Sequence, residues 1–174
     1  MEMDDRKAAE LFRMYAKRLY NTALRITLSP DESDEIMQKT LLRYLEHPGK
    51  EPGNVWAWLR TACVHLSVDW LRRRKRFVNI DETIEGTYQD ADDSSDVDWG
   101  RLDGKVFPMV MNLLSGMPDG YRTILILRLI EEYDYPEIAS MLGISEAGVR
   151  SQYMRGRRKL AMMLSEKLKS NEYE

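Results

Sequence analysis

Behind the break Gly143-Ile144-Ser145, the side chains Arg150, Ser151, Met154 and Arg155 recur at the spacing of one helical face, and Arg157, Arg158 and Lys159 follow. A guanidinium can donate two hydrogen bonds to a guanine edge, and a serine hydroxyl can bond a base or a phosphate. The later cations would hold phosphates, an attraction blind to sequence and weakened by salt. The same spacing also suits a plain helical hairpin with a solvated basic face. Turnover chemistry is poorly represented. The two histidines, His47 and His65, and the single cysteine, Cys63, form no metal-spaced set, and no glycine-rich phosphate loop or Ser/His/Asp group stands out. Asp90, Asp92, Asp93 and Asp96 lack the central Gly and terminal Glu of a calcium loop. No catalytic residue, metal or cofactor is expected.

A second basic group lies earlier. Arg72, Arg73, Arg74, Lys75 and Arg76 close a segment that also carries Trp56, Trp58, His65 and Trp70. Aromatic faces can stack on unpaired bases while cations track the strand backbone. For Trp58 and Trp70 core packing competes with that role, because both sit on an apolar stripe. Asp69, four residues after His65, is placed to hydrogen-bond it.

Helices must position both groups. The first is predicted from about Asp5 to Thr27, with Leu11, Tyr15, Leu19, Ala23 and Ile26 at three- and four-residue spacing. Ser29 can cap a second helix, Pro30 suits its first position, and Glu32 sits three residues after the cap. That helix carries Ile36, Thr40, Leu41, Tyr44 and Leu45 on one side and stops before His47. A third begins near Asn54, with Val55, Trp58, Leu59, Ala62, Leu66 and Trp70 along one stripe. Later helices are predicted over about 105–115, over 121–130 and from Pro136 onward. In the last pair, small Ala139 permits close approach, Gly143 ends one helix and Ile144 anchors the break. Ser145 caps the next helix, and Val149 packs back on the first. The fold class is all-α, with two small helical domains.

The formal net charge of −3 misleads, because the charge is segregated. Residues 1–76 hold 15 Lys and Arg against 11 Asp and Glu, residues 77–104 hold 1 against 9, and residues 105–174 hold 10 against 9. The middle segment has no apolar period and reads as an acidic flexible linker between domains at 1–76 and 105–174. No apolar run approaches a membrane span, and the N-terminus lacks the order of a signal peptide. With one cysteine, the expected setting is a reducing cytoplasm.

Three motifs in chain order resemble the bacterial extracytoplasmic-function (ECF) sigma factors. "DEIMQKTLLRYL", Asp34 to Leu45, is similar to that family's helix docking on the beta-prime clamp of RNA polymerase. "WLRTACVHLSVDWLRRRKR", Trp58 to Arg76, resembles the helix that opens and holds the minus-ten promoter element. "YPEIASMLGISEAGVRSQYMRGRRKL", Tyr135 to Leu160, resembles the helix-turn-helix reading the minus-thirty-five element. The resemblance covers roughly Glu10–Arg76 and Leu113–Leu164.

It implies a transcription initiation subunit without chemistry of its own. Asp34, Glu35 and Gln38 would face the polymerase clamp, with the beta flap a further partner. Trp58, His65 and Arg72 to Arg76 would lie near the melted strand. Ser145, Arg150, Ser151, Met154, Arg155, Arg157 and Arg158 would face the upstream promoter duplex. The acidic linker would pass through polymerase towards the RNA exit path. The resemblance also implies an anti-sigma factor or another recruiting partner. The family usually has Asn at His65, Thr at Gly148, and Arg or Lys at Gln152; all three would lie at DNA contacts, implying weak autonomous promoter reading. The alternative is a helix-turn-helix regulator with an N-terminal sensing or dimerisation domain.

Overall fold

The computed structural model describes residues 2–47, 53–74, 104 and 106–171. The chain divides into two units, residues 1–74 and 75–174. Every regular element among the described residues is helical. The acidic segment 77–104 lies outside the described residues except for Gly104, as do Lys75 and Arg76.

In the first unit α1 spans Glu2–Thr27, α2 Pro30–Leu45 and α3 Val55–Arg73, and all three pack on one another. Leu11, Leu19, Ala23 and Ile26 of α1 are buried, at the spacing the sequence predicts. The turn into α2 is built from short polar side chains. The N–H of Glu32 donates to Ser29 Oγ at 3.4 Å, and Ser33 Oγ donates to the Ser29 carbonyl at 2.6 Å. The Ser29 N–H donates to Thr27 Oγ1 at 3.2 Å. Ser29 thus caps α2 as expected, with Thr27 rather than Glu32 meeting the cap's own N–H.

Helix α3 is more deeply embedded than one stripe provides for. Leu59 and Leu66 are buried as predicted, while Val55, Trp58, Ala62 and Trp70 are half-buried. Cys63, Val64, Ser67, Val68 and Leu71 are buried as well. A helix pressed by both α1 and α2 needs a wider apolar face than a helix lying on one neighbour. The Cys63 thiol donates to the Leu19 carbonyl at 3.4 Å, fixing α3 against α1.

The second unit holds α4 (Val106–Ser115), α5 (Asp119–Leu125), α6 (Tyr135–Leu142) and α7 (Glu146–Asn171). At the start of α5, buried Arg122 pairs with Asp119 at 2.7 Å and donates to the Met117 carbonyl at 3.3 Å. The predicted 121–130 helix is helical throughout but changes gauge. Its last five residues, Ile126–Ile130, form a π-helical turn, closed by the Glu131 N–H on the Ile126 carbonyl at 3.0 Å. Glu132 then turns the chain at φ 60°, a left-handed conformation that costs a non-glycine residue about 1–2 kcal/mol. Nothing in the apolar run announces the wider turn, because a segment apolar at nearly every position satisfies either spacing.

Helix α7 packs on α4, α5 and α6 through Val149, Gly156, Leu160 and Leu164. Gly156 makes the approach to α5 possible: a Cβ there would meet Leu125 Cδ1 and Tyr121 Cβ at 3.3 Å. Gly156→Val should therefore overpack this seam and destabilise the second unit by about 1–3 kcal/mol. Urea unfolding of the full chain should show that loss in a transition that leaves the first unit unchanged.

Candidate nucleic-acid interface

The pair α6–α7 is set by local capping. Asp134 and Glu137 form a reciprocal capping box: the Glu137 N–H donates to Asp134 Oδ1 at 2.8 Å, and the Asp134 N–H donates to Glu137 Oε2 at 2.9 Å. Gly143 ends α6 at φ 68°, its N–H donating to the Ala139 carbonyl at 2.9 Å. Ser145 Oγ accepts from the Gly148 N–H at 3.0 Å and starts α7. Ile138, Leu142 and Val149 are buried in the angle between the two helices. This is a helix-turn-helix.

Its outer face carries most of the residues expected there. Ser145, Arg150 and Arg158 are exposed, and Ser151, Met154, Arg155 and Arg157 are half-buried. Gln152 differs. Expected at a DNA contact, it is instead 3% exposed and lies on the packing side with Tyr153. Its spacing from Val149 and Gly156 marks that side, and the polar side chain obscured the pattern. Gln152 therefore says nothing about phosphate affinity.

Arg150 is held by two neighbours on different helices. Its Nη2 donates to Glu146 Oε1 at 2.9 Å, one turn back on α7. Its guanidinium carbon lies 4.8 Å from the centre of the Tyr135 ring, the first residue of α6. Arg128 approaches the same ring at 5.2 Å and donates to the Tyr133 carbonyl at 3.5 Å. Tyr153 meets Tyr135 edge-on, with ring centres 5.6 Å apart. Tyr135 and Glu146 are absent from the site expected on sequence; the i,i+4 spacing of Glu146 and Arg150 is a usable signal, whereas a contact across helices has none.

On α3 the relevant residues form a line. Asn54 Oδ1 caps the helix by accepting the Ala57 N–H at 3.0 Å. Trp58, His65 and Arg72 follow at two-turn intervals, spanning roughly 21 Å along the helix. Trp58 is half-buried, edge-on to Tyr44 with ring centres 5.5 Å apart and tilted against His47 at 6.3 Å. His65 is exposed, and no hydrogen bond joins it to Asp69; that carboxylate instead meets Arg72 at 3.9 Å. Arg73 Nε donates to the Asp69 carbonyl at 3.4 Å, and Arg74 lies over half-buried Trp70 at 4.4 Å. Trp56 is already stacked on Tyr15 and covered by the Arg18 guanidinium at 3.7 Å from the ring centre.

Asp34, Glu35 and Gln38 are all exposed on α2. Gln38 Nε2 donates to Asp34 Oδ2 at 2.8 Å, and Lys39 pairs with Glu35. The hydrogen bond and charge of Lys39, with a smaller contribution from Arg73 of α3, hold the Glu35 carboxyl below its ordinary range. It therefore stays anionic wherever a free glutamate does.

Two family models match the chain in order: Sigma-70 region 2 over residues 11–77, and Sigma-70, region 4 over residues 108–160. The chain belongs to the sigma-70 family, among its ECF members. This sigma-family chain is 27% identical over 153 residues to the ECF RNA polymerase sigma factor SigM of Bacillus subtilis, covering 87% of this chain and 91% of that protein. To SigW of the same organism it is 26% identical over 164 residues, covering 90% of this chain and 88% of that one. Its fold matches a chain in the co-crystal structure of the sigma factor RpoE in complex with the anti-sigma factor NepR from Bartonella quintana. The TM-score is 0.53 at 19% identity, over 90% of this chain and 96% of that one. In family terms α1 to α3 are region 2 and α4 to α7 region 4. No described helix is long and apolar enough to cross a membrane.

Burial, reinforced by the nearby Tyr135, raises the Tyr153 phenol above its ordinary value, and Arg128 opposes the shift. A raised phenol favours the neutral form in the folded state, so this contribution is fully present below about pH 10 and is lost as pH rises through the folded value. Tyr153→Phe should leave stability near neutrality little changed and flatten the alkaline loss. Urea midpoints measured from pH 9 to 11.5 should diverge only in the upper part of that range.

Proposed function

We propose that the chain is a sigma factor that binds core RNA polymerase and directs promoter recognition, DNA opening and transcription initiation. The observation that carries this reading is the order of two sigma regions whose α3 and α7 both present cationic faces, that of α3 with Trp58 in line. Residues 1–76 serve as the clamp- and minus-ten-binding domain, 77–104 as an acidic linker through polymerase, and 105–174 as the minus-thirty-five-binding domain.

On α2, Asp34, Glu35 and Gln38 face the beta-prime clamp, while region 4 meets the beta flap. Trp58, His65 and Arg72 to Arg74 line the path of the melted strand, continued by Lys75 and Arg76. Opening needs no catalytic group: unpaired bases are captured after unstacking that costs a few kcal/mol per step. Polymerase carries out nucleotidyl transfer. Ser145, Arg150, Ser151, Met154 and Arg155 face the upstream duplex, and Arg157 and Arg158 hold its phosphates. The protein works in the cytoplasm, where polymerase is. Weak autonomous reading, with help from a recruiting partner, now rests on His65 and Gly148 alone. Gly148 lies in the first turn of α7 and costs about 1 kcal/mol relative to Ala. An anti-sigma factor is a further partner in this reading, supported by the solved neighbour's complex with one.

Transcription in vitro with core polymerase, with and without the chain, tests the whole reading. Promoter-dependent transcripts should appear only with the chain, and a chain that fails to co-elute with core polymerase would sink it. Arg157→Ala and Arg158→Ala should each weaken binding about equally on all duplexes. Each should reduce the slope of log K against log salt by about 1, measured by anisotropy at several salt concentrations.

A further inference from the structure

Arg150 is 60% exposed as a side chain, yet it has a neighbour on each of two helices: an ion pair with Glu146, and the Tyr135 ring, whose centre lies 4.8 Å from its guanidinium carbon. An exposed arginine normally samples many rotamers, and ordering it on binding costs affinity. Here the ring of a different helix limits that freedom in advance. The platform is itself anchored. Tyr135 is the first residue after the Asp134 cap, is braced edge-on by Tyr153, and has Arg128 near the same ring. Arg128 comes from the π-helical turn and also holds the carbonyl of Tyr133.

We infer that Tyr135 is a positioning residue for sequence reading. Its ring holds the Arg150 guanidinium beside the start of α6, so that the side chain meets a base in the major groove with little further ordering. Glu146 is the releasable partner, because an ion pair this exposed is screened and weak, whereas the cation–ring contact survives next to DNA. Tyr135 touches no base and acts only through Arg150. This rests on the duplex-reading role of α7 proposed above.

The test uses the full chain bound to core polymerase and a duplex enriched from a random library by the wild-type holoenzyme, with a scrambled duplex as reference. Tyr135→Leu should weaken binding to the enriched duplex roughly two- to fivefold, the loss expected of one exposed cation–π contact. It should leave the scrambled duplex and the salt slope unchanged. Tyr135→Phe, which keeps the ring, should behave as wild type. In an Arg150→Ala background Tyr135→Leu should have no further effect, since the two act as one unit. Equal losses on both duplexes, additivity with Arg150→Ala, or failure of Tyr135→Phe to rescue would overturn the inference.

A second measurement needs no variant that folds poorly. The Arg150 δ-protons of the wild-type chain should show an upfield ring-current shift both free and bound to the enriched duplex. Loss of that shift on binding would mark Tyr135 as a latch that releases Arg150 and would refute the platform. If no duplex is enriched at all, the reading of α7 as a DNA helix fails. If enrichment depends on Arg150 but not on Tyr135, only the present inference falls.

Discussion

The second unit depends on how closely α7 can approach α5. Gly156 faces Tyr121 and Leu125 at a distance that leaves no comfortable room for even a methyl group. Leu160 and Leu164 continue the same seam, and Val149 seals it against α6. Everything useful on α7 is defined by contrast with this side. Because Val149, Gln152, Tyr153, Gly156 and Leu160 must turn inward, Ser151, Met154 and Arg158 must turn outward. The reading face is what a tightly packed helix has left over. Its orientation is therefore as rigid as the core that excludes it.

The first unit reaches the same end by another arrangement. Helix α3 is gripped by α1 and α2 along much of its circumference, so few positions remain for contact with anything else. Those few fall in a line that begins at half-buried Trp58 and ends among the arginines. Where the aromatic rings are already engaged, as Trp56 is by Tyr15 and Arg18, they serve the fold first. The acid Asp69 sits beneath the arginine group and pairs with part of it, so the positive field at this end is smaller than the count of cations implies.

Features written within a few residues of one another could be read directly from the sequence. Ser29, Asn54, Gly143 and Ser145 each act on backbone groups no more than four residues away, and each behaves in the structure as its chemistry dictates. The buried spacing of α1 was legible for the same reason. What escaped was anything decided by a second helix. Gln152 looks like a surface residue and is buried by its neighbours across the seam. Asp69 had two cations and a histidine within one turn, and rotamer geometry, not proximity in sequence, chose Arg72. The hold of Tyr135 on Arg150 joins residues fifteen apart in sequence on two different helices, a contact no periodicity reveals.

The π-helical turn at Ile126–Ile130 has one further implication. A π-helical ring accommodates one residue more than the α-helical ladder around it, so it acts as a spacer of a single amino acid. Shortening this segment by one would let the ladder close normally while rotating all that follows by roughly 100° about the local axis. Arg128 would swing away from Tyr133 and Tyr135, and the start of α6 would lose its alignment. Insertions and deletions between Ile126 and Glu131 should accordingly be far scarcer in working chains than substitutions among the apolar side chains there.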